Sequence, residues 1–388
     1  MPGEKSLSGS QVTLLAGLAG SGSNIPRVGA RPCLASGATA RRGPEVPTLP
    51  ERFVLLARLP YTWGCVFWAV IFAVVIPIIG GFLDTFDLSA AVSTYLNPGL
   101  QTWQGFAVAA LNVVDYGFLP FFLVRYMRLR LVRLEPDLIA VSPHGEESLH
   151  RVFGGVSRYL PPILIGAAVV GISSIPGSSA PIPVTGLYQS LANFAYYFFA
   201  VIVGFGSFIW VYISALRGLY KLGGEDLRLR PSSDDPMLGL RPMGSISLSF
   251  AFAYFAVVGS GVLYYFFVPF DLASAILYPA FLSVGLIMFF LPLSNIHRKM
   301  QSSKRLEQAS IRSQLSQLTT TPSIPRDEGH QDSLPRIERL LALQIMDHKV
   351  SSIPTWPFDT GMLGRFAAII LSVVAILISR FLGAALRL

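Results

Sequence analysis

Residues 103–133 read WQGFAVAALNVVDYGFLPFFLVRYMRLRLVR. From Trp103 to Val124 the only charged side chain is Asp115. An apolar helix of about 20 residues crosses roughly 30 Å of hydrocarbon. Arg125, Arg128, Arg130 and Arg133 then arrive at once. Arginines at the end of an apolar run mark its cytoplasmic mouth. This stretch therefore reads as a membrane span running inward.

The pattern repeats outward in both directions. Apolar runs lie near 60–83, 103–124, 159–176, 189–215, 246–268, 273–293 and 362–383. The third is the shortest, with Pro161, Pro162 and Pro176 at its ends. The segments between them alternate in charge. The N-terminal stretch carries Lys5, Arg27, Arg31, Arg41, Arg42, Arg52 and Arg58, while the loop holding Asp84 and Asp87 has no Lys or Arg. The stretch 125–158 is basic and 173–188 is uncharged. The stretch 217–244 is basic, the turn Pro269–Asp271 lacks Lys and Arg, and 297–365 is basic again. Of the 30 Lys and Arg residues, all but Arg380 and Arg387 fall on one side.

The expectation is an all-α, polytopic helical bundle of seven transmembrane helices. Its N-terminus is cytoplasmic and its C-terminus outside. That orientation is the reverse of a G-protein-coupled receptor. The implied location is a cell membrane, multi-pass, of the prokaryotic inner or plasma type, with the lipid bilayer as first partner.

Composition agrees. Hydrophobic residues make up 52% and charged residues 13% of 388, against about 25% charged in soluble domains. The net charge of +8 belongs to the inner loops. No segment pairs basic residues with exposed aromatics as a single-strand binder does, so nucleic acid is not an expected partner. Cys33 and Cys65 are the two cysteines, too few for a disulfide framework or a metal site.

The domain reading has four parts. Residues 1–52 form a cytoplasmic tail, rich in Gly, Ala, Ser, Pro and Arg and expected to be disordered. No signal peptide is evident in it, and residues 1–50 could be an overextended reading-frame start. Residues 53–294 hold spans one to six with inner loops 125–158 and 217–244. Residues 295–360 form a cytoplasmic helical extension, a linker and an elbow. Residues 361–388 hold the last span.

The extension carries Ile296, Met300, Ile311, Leu315 and Leu318 at mostly helical spacing. The stretch 319–333 is polar and Pro-containing, a loose linker. Pro335 opens a further helix with Ile337, Leu340, Leu341 and Ile345 as its apolar face. That helix is expected to fold back on the sixth, the alternative being a neighbouring subunit. The elbow is Trp356-Pro357-Phe358-Asp359, with Asp359 or Thr360 capping the last span.

Asp115 is the one acidic residue deep inside a span, beside Asn112 and Tyr116. A carboxylate at that depth is costly and turns toward a bundle interior or a wet cavity. Two readings stay open. One is an intramembrane cation path or ligand cavity formed by Asn112, Asp115, Tyr116 and Asn193. The other is a protonated Asp115 bonded to Asn193 or a tyrosine.

The last span carries Ala368, Ser372, Ala375, Ser379 and Gly383 along one stripe. Small-xxx-small stripes pack helices closely, and the same residues can line a pore. His144, Glu146, Glu147 and His150 read as a solvated loop, since the further carboxylates of a metal site are missing. No metal, cofactor or catalytic residue is expected, and no hydrolase, metalloprotease or phosphate-loop motif occurs. The chain is not expected to be an enzyme.

Residues 353–366, IPTWPFDTGMLGRF, and 231–244, PSSDDPMLGLRPMG, resemble two motifs of a family of bacterial integral membrane proteins with no assigned activity. The overall plan is similar to the seven-transmembrane ion channel superfamily that includes insect odorant and gustatory receptors. That resemblance is one of topology. It implies a tetramer, a central pore lined by the last helix, and a small-molecule pocket in the outer half of the bundle. The Thr-Tyr and Gln-Phe signature of gustatory receptors is absent, and Arg380-Phe381 ends the span.

The leading functional expectation is a homo-oligomeric, ligand-gated ion channel. Ala368, Ser372, Ala375 and Ser379 would face its pore. A proton-coupled secondary transporter working through Asp115 is the alternative. The third is a non-conducting anchor that binds partners through 295–318 and 335–350.

Overall fold

The computed structural model describes residues 46–96, 102–173, 186–229, 235, 237–267, 272–320, 333–353, 355–358 and 360–385. The expected disordered tail, residues 1–52, lies outside the described residues as far as residue 45. Among the described residues all regular structure is helical.

Helix α1 (Leu49–Leu55) begins within the stretch expected to be a disordered tail and runs past its end, so residues 49–52 are helical instead. Glu51 lies three residues after Thr48, and its carboxylate accepts from the Thr48 N–H at 2.8 Å and hydroxyl at 2.9 Å. That is the return half of a capping box. Pro50 fits the first turn because its missing N–H would have no partner there.

Helix α2 (Tyr61–Thr85) is the first apolar span. Short α3 (Leu88–Tyr95) follows in what reads as an outer loop. Asp87 caps α3, accepting from the Ser89 N–H and hydroxyl at 2.8 Å, which holds its carboxyl below the ordinary range. Helix α4 (Trp103–Val141) is the second span and runs well past the arginines. Short α5 (Glu146–Phe153) and apolar α6 (Leu160–Ser173) come next.

Spans α7 (Leu187–Gly224) and α8 (Arg241–Tyr264) follow. Helix α9 (Leu272–Thr320) is one rod of 49 residues. Helix α10 (Ser333–Ser351) and last helix α11 (Thr360–Ala385) complete the order.

Six of these helices are long and apolar enough to cross a membrane. The third expected span is not among them. Helix α6 has 14 residues, about 21 Å at 1.5 Å per residue. It packs along α7 through paired glycines. A Cβ on Gly206 would overlap the Pro162 carbonyl oxygen and lie 3.0 Å from the Gly166 nitrogen. A Cβ on Gly166 would overlap the Cα of Ile202. The pairings 162 with 206 and 166 with 202 make the two helices antiparallel.

Cross-helix bonds fix the other directions. Asp84, at the end of α2, accepts from the N–H groups of Tyr188 at 3.2 Å and Gln189 at 2.7 Å. A carboxylate at a helix N-terminus satisfies free donors and meets the positive end of the helix dipole. So the end of α2 meets the start of α7. At the opposite end of the bundle, Arg128 of α4 pairs with Glu51 of α1 at 2.7 Å. Arg130 donates to Ser245 at 2.7 Å and Ser249 at 3.2 Å in α8. Ser247 and Tyr254 of α8 donate to the Phe289 and Phe281 carbonyls of α9, an antiparallel pair.

The main apolar core runs from inside the bundle down to its arginine-rich end. It joins Leu131, Leu138, Leu149, Phe153, Leu219, Leu240, Ile296 and Met300, among others. Below it, α10 folds against the end of α9 through Ile311, Leu343, Val350 and Ile353. The expected apolar face of α10 points elsewhere. Ile337, Leu341 and Ile345 are each more than half exposed, and Leu340 is half-buried. The contact with α9 uses the next strip of the helix instead, because Leu343 and Val350 continue into Ile353 at the elbow.

Candidate functional site

Three spans widen from i→i+4 to i→i+5 bonding at mid-length: α2 at Ile71–Val75, α4 at Val113–Phe118 and α7 at Phe198–Phe205. Such wide turns inside helices recur at functional sites. Here they meet. Phe72 of α2 stacks on Phe199 of α7 with centroids 4.4 Å apart, and Phe121 of α4 stacks on Phe199 at 4.6 Å. Gly117 lets α4 approach α2 closely, since a Cβ there would sit 2.5 Å from the Ala69 Cβ.

Asp115 lies inside the wide turn of α4 and is 7% exposed. Ser260 of α8 lies near its carboxyl group, and the Ser260 hydroxyl donates to the Val257 carbonyl at 2.9 Å. Its Oδ1 has no hydrogen-bond partner among the described residues. An acceptor left open in so apolar a place is costly. It marks a position where a proton, a water or a cation would be held.

Tyrosines surround this carboxyl group. Tyr116 packs edge-on against Tyr196 at 6.3 Å and tilts against Phe205 at 5.5 Å. Tyr264 at the end of α8 and Tyr265 just after it lie within electrostatic reach of Tyr116, and Tyr278 of α9 within reach of Asp115. Tyr265 and Tyr278 meet edge to face at 5.4 Å. Aromatic faces and one carboxylate suit a cationic group.

The expected quartet is only partly assembled. Asp115 and Tyr116 share the turn, and Asn112 precedes it on the same helix. Asn193 is engaged elsewhere, accepting from Gln189 Nε2 at 3.3 Å beside the Asp84 cap. Ser260 of α8, rather than Asn193, is the small polar residue near the carboxyl group. Only the small Gly259-Ser260-Gly261 run hinted at it.

The stripe on α11 is turned outward. Phe366, Val373 and Leu377 are buried, while Ala368, Ser372, Ala375 and Ser379 face away from the bundle. Ser372 returns its hydroxyl to the Ala368 carbonyl at 2.8 Å.

The elbow is clamped to α9. His297 stacks on Trp356 with centroids 4.2 Å apart, and its Nδ1 lies 2.7 Å from the Thr355 carbonyl oxygen. Lys304 donates to the carbonyls of Ser351 at 2.6 Å and Ile353 at 2.9 Å. Phe358 stacks on Phe289 at 5.3 Å, and Phe289 stacks on Phe366 of α11 at 4.0 Å. A Cβ on Gly244 would overlap the Pro357 carbonyl oxygen. Asp359 lies outside the described residues.

The His144 to His150 cluster spends its charges on its own helix. Glu146 pairs with His150 at 3.1 Å and Glu147 with Arg151 at 3.2 Å. Among the described residues no group of three or more His, Cys, Asp and Glu could hold a metal. Cys65 is free and buried.

The long apolar helices are compatible with a multi-pass integral membrane protein. No protein-family profile, curated protein or solved structure matches this chain.

Proposed function

We propose that this protein crosses the membrane seven times, cytoplasmic end first, and assembles as a homo-oligomer around its last helix to form an ion channel. Helix directions support the seventh crossing. The end of α4 lies at the arginine-rich end of the bundle, and the start of α7 lies at the opposite end, on Asp84. The chain between them must traverse the full thickness, and α6 is the apolar helix available.

One observation carries the assembly. Both of the last helices turn a face away from their own bundle: Ile337, Leu341 and Ile345 on α10, and Ala368, Ser372, Ala375 and Ser379 on α11. Lipid can cover α11. Helix α10 packs on the end of α9, past the apolar part of that helix. A second copy satisfies both, and a ring of four leaves the small residues around a central axis. The test is Ser372→Cys with a water-soluble thiol reagent applied during current recording. Block of current supports the pore. A cysteine that no aqueous reagent reaches counts against it.

The open Oδ1 of Asp115 favours a second reading, transport coupled to that carboxyl group. Uptake that persists unchanged in Asp115→Asn would remove it.

A further inference from the structure

At the inner mouth of the first two spans lies a cavity of about 390 Å³, lined by Tyr61, Thr62, Phe122, Arg125, Tyr126, Leu129, Arg130 and Arg133. Ligand pockets run from roughly 300 to 1,000 Å³. Three arginines contribute to this one and no acidic residue does. Glu51 is spent on Arg128, which is not part of the lining. No described carboxylate forms an ion pair with Arg125, Arg130 or Arg133.

Two of the guanidinium groups are held in place. The Arg125 guanidinium carbon sits over the Tyr61 ring, 4.2 Å from its centroid. Tyr61 is itself pinned by donating to the Phe121 carbonyl at 2.8 Å. Arg130 is tied to Ser245 and Ser249 of α8. Arg133 is exposed at the mouth. Preorganised guanidinium forks suit phosphate oxygens better than a flexible ammonium does. Phe122 and Leu129 add apolar lining, and Phe122, Phe252 and Trp63 are exposed large side chains on the same helices or on α8.

We infer that this cavity binds a phosphate-bearing anion, and that its source is the headgroup of an anionic phospholipid in the leaflet at the arginine-rich end. The phosphodiester sits among Arg125, Arg130 and Arg133, with the Thr62 and Tyr126 hydroxyls as further donors. The acyl chains descend past Phe122 and Phe252. A soluble phosphate has the same charge but no use for that apolar exit.

The test uses the full-length protein, freed of lipid in mild detergent. Phosphatidylglycerol or phosphatidylcholine is returned, and retained lipid is counted by native mass spectrometry. The wild type retains phosphatidylglycerol in preference to phosphatidylcholine. Arg125→Gln/Arg133→Gln weakens that retention roughly thirtyfold, the effect of two basic residues at about 1 kcal/mol each near a membrane surface. Arg133→Gln alone, at an exposed position, shows part of the loss without threatening the fold. Arg217→Gln/Lys221→Gln removes the same charge from exposed positions outside the cavity and leaves retention unchanged. Equal losses in both double variants would reduce the effect to general surface charge and overturn the site. Thermal stabilisation by inorganic phosphate, with no preference between the two lipids, would overturn the lipid source.

Discussion

Gly244, at the start of α8, lies directly against the carbonyl of Pro357 in the elbow, with no room for a Cβ between them. Far apart in sequence, PSSDDPMLGLRPMG and IPTWPFDTGMLGRF are therefore two sides of one joint. Asp235 prepares the first side, accepting from the Met237 N–H at 2.9 Å and the Gly239 N–H at 3.0 Å. Gly239 takes a φ of 82°, which suits glycine. The joint fixes where α11 starts.

Gly244→Val drives a branched side chain into that carbonyl. Overpacking of this kind costs about 1–3 kcal/mol. The expected result is a lower unfolding midpoint in detergent, while substitution of exposed Gly364, with nothing within 4 Å of its Cβ position, leaves the midpoint nearly unchanged.

Glu51 and Arg128 tie α1 to the inner end of α4, and Glu51 is 2% exposed. Removing one partner of a buried pair costs about 3–5 kcal/mol because the other charge stays stranded. Glu51→Gln is thus expected to destabilise the protein well beyond Glu147→Gln, whose pair with Arg151 is exposed. Chemical denaturation of the two variants side by side measures the difference.

Topology is checked with single cysteines on a cysteine-free background. Ser89→Cys, in α3, is expected to react with an impermeant maleimide on intact cells. Glu147→Cys, in α5, is expected to react only after permeabilisation. Reaction of both from the same side would leave α2 and α4 misplaced relative to the membrane.

Asp115→Asn keeps the shape but removes the ionisable group. Any cation dependence of thermal stability seen in the wild type is expected to disappear in it. Persistence of that dependence would place the cation elsewhere.

Six of the seven expected spans were legible as long apolar helices, because charge is costly to desolvate and apolar runs of that length therefore exclude it. The elbow was legible because Pro354 and Pro357 cannot continue a helix. Helix α1 carried a readable signal, Thr48-Leu-Pro-Glu51, that the composition of the surrounding tail concealed. The wide turns at Val113 and Phe198 were not readable, because a change of bonding register leaves no mark on composition. Ser260 escaped for the same reason: its nearness to Asp115 depends on how α4 and α8 pack, not on local sequence. On α10, periodicity located an apolar strip correctly but could not say which strip meets α9.

The most direct measurement is the native mass of the purified protein in nanodiscs, after subtraction of lipid and scaffold. A mass near four times the 42.2 kDa chain is the result expected if α10 and α11 pack between copies around a pore. A mass of one chain would contradict it, since a lone copy has no central axis for Ser372 and Ala375 to line.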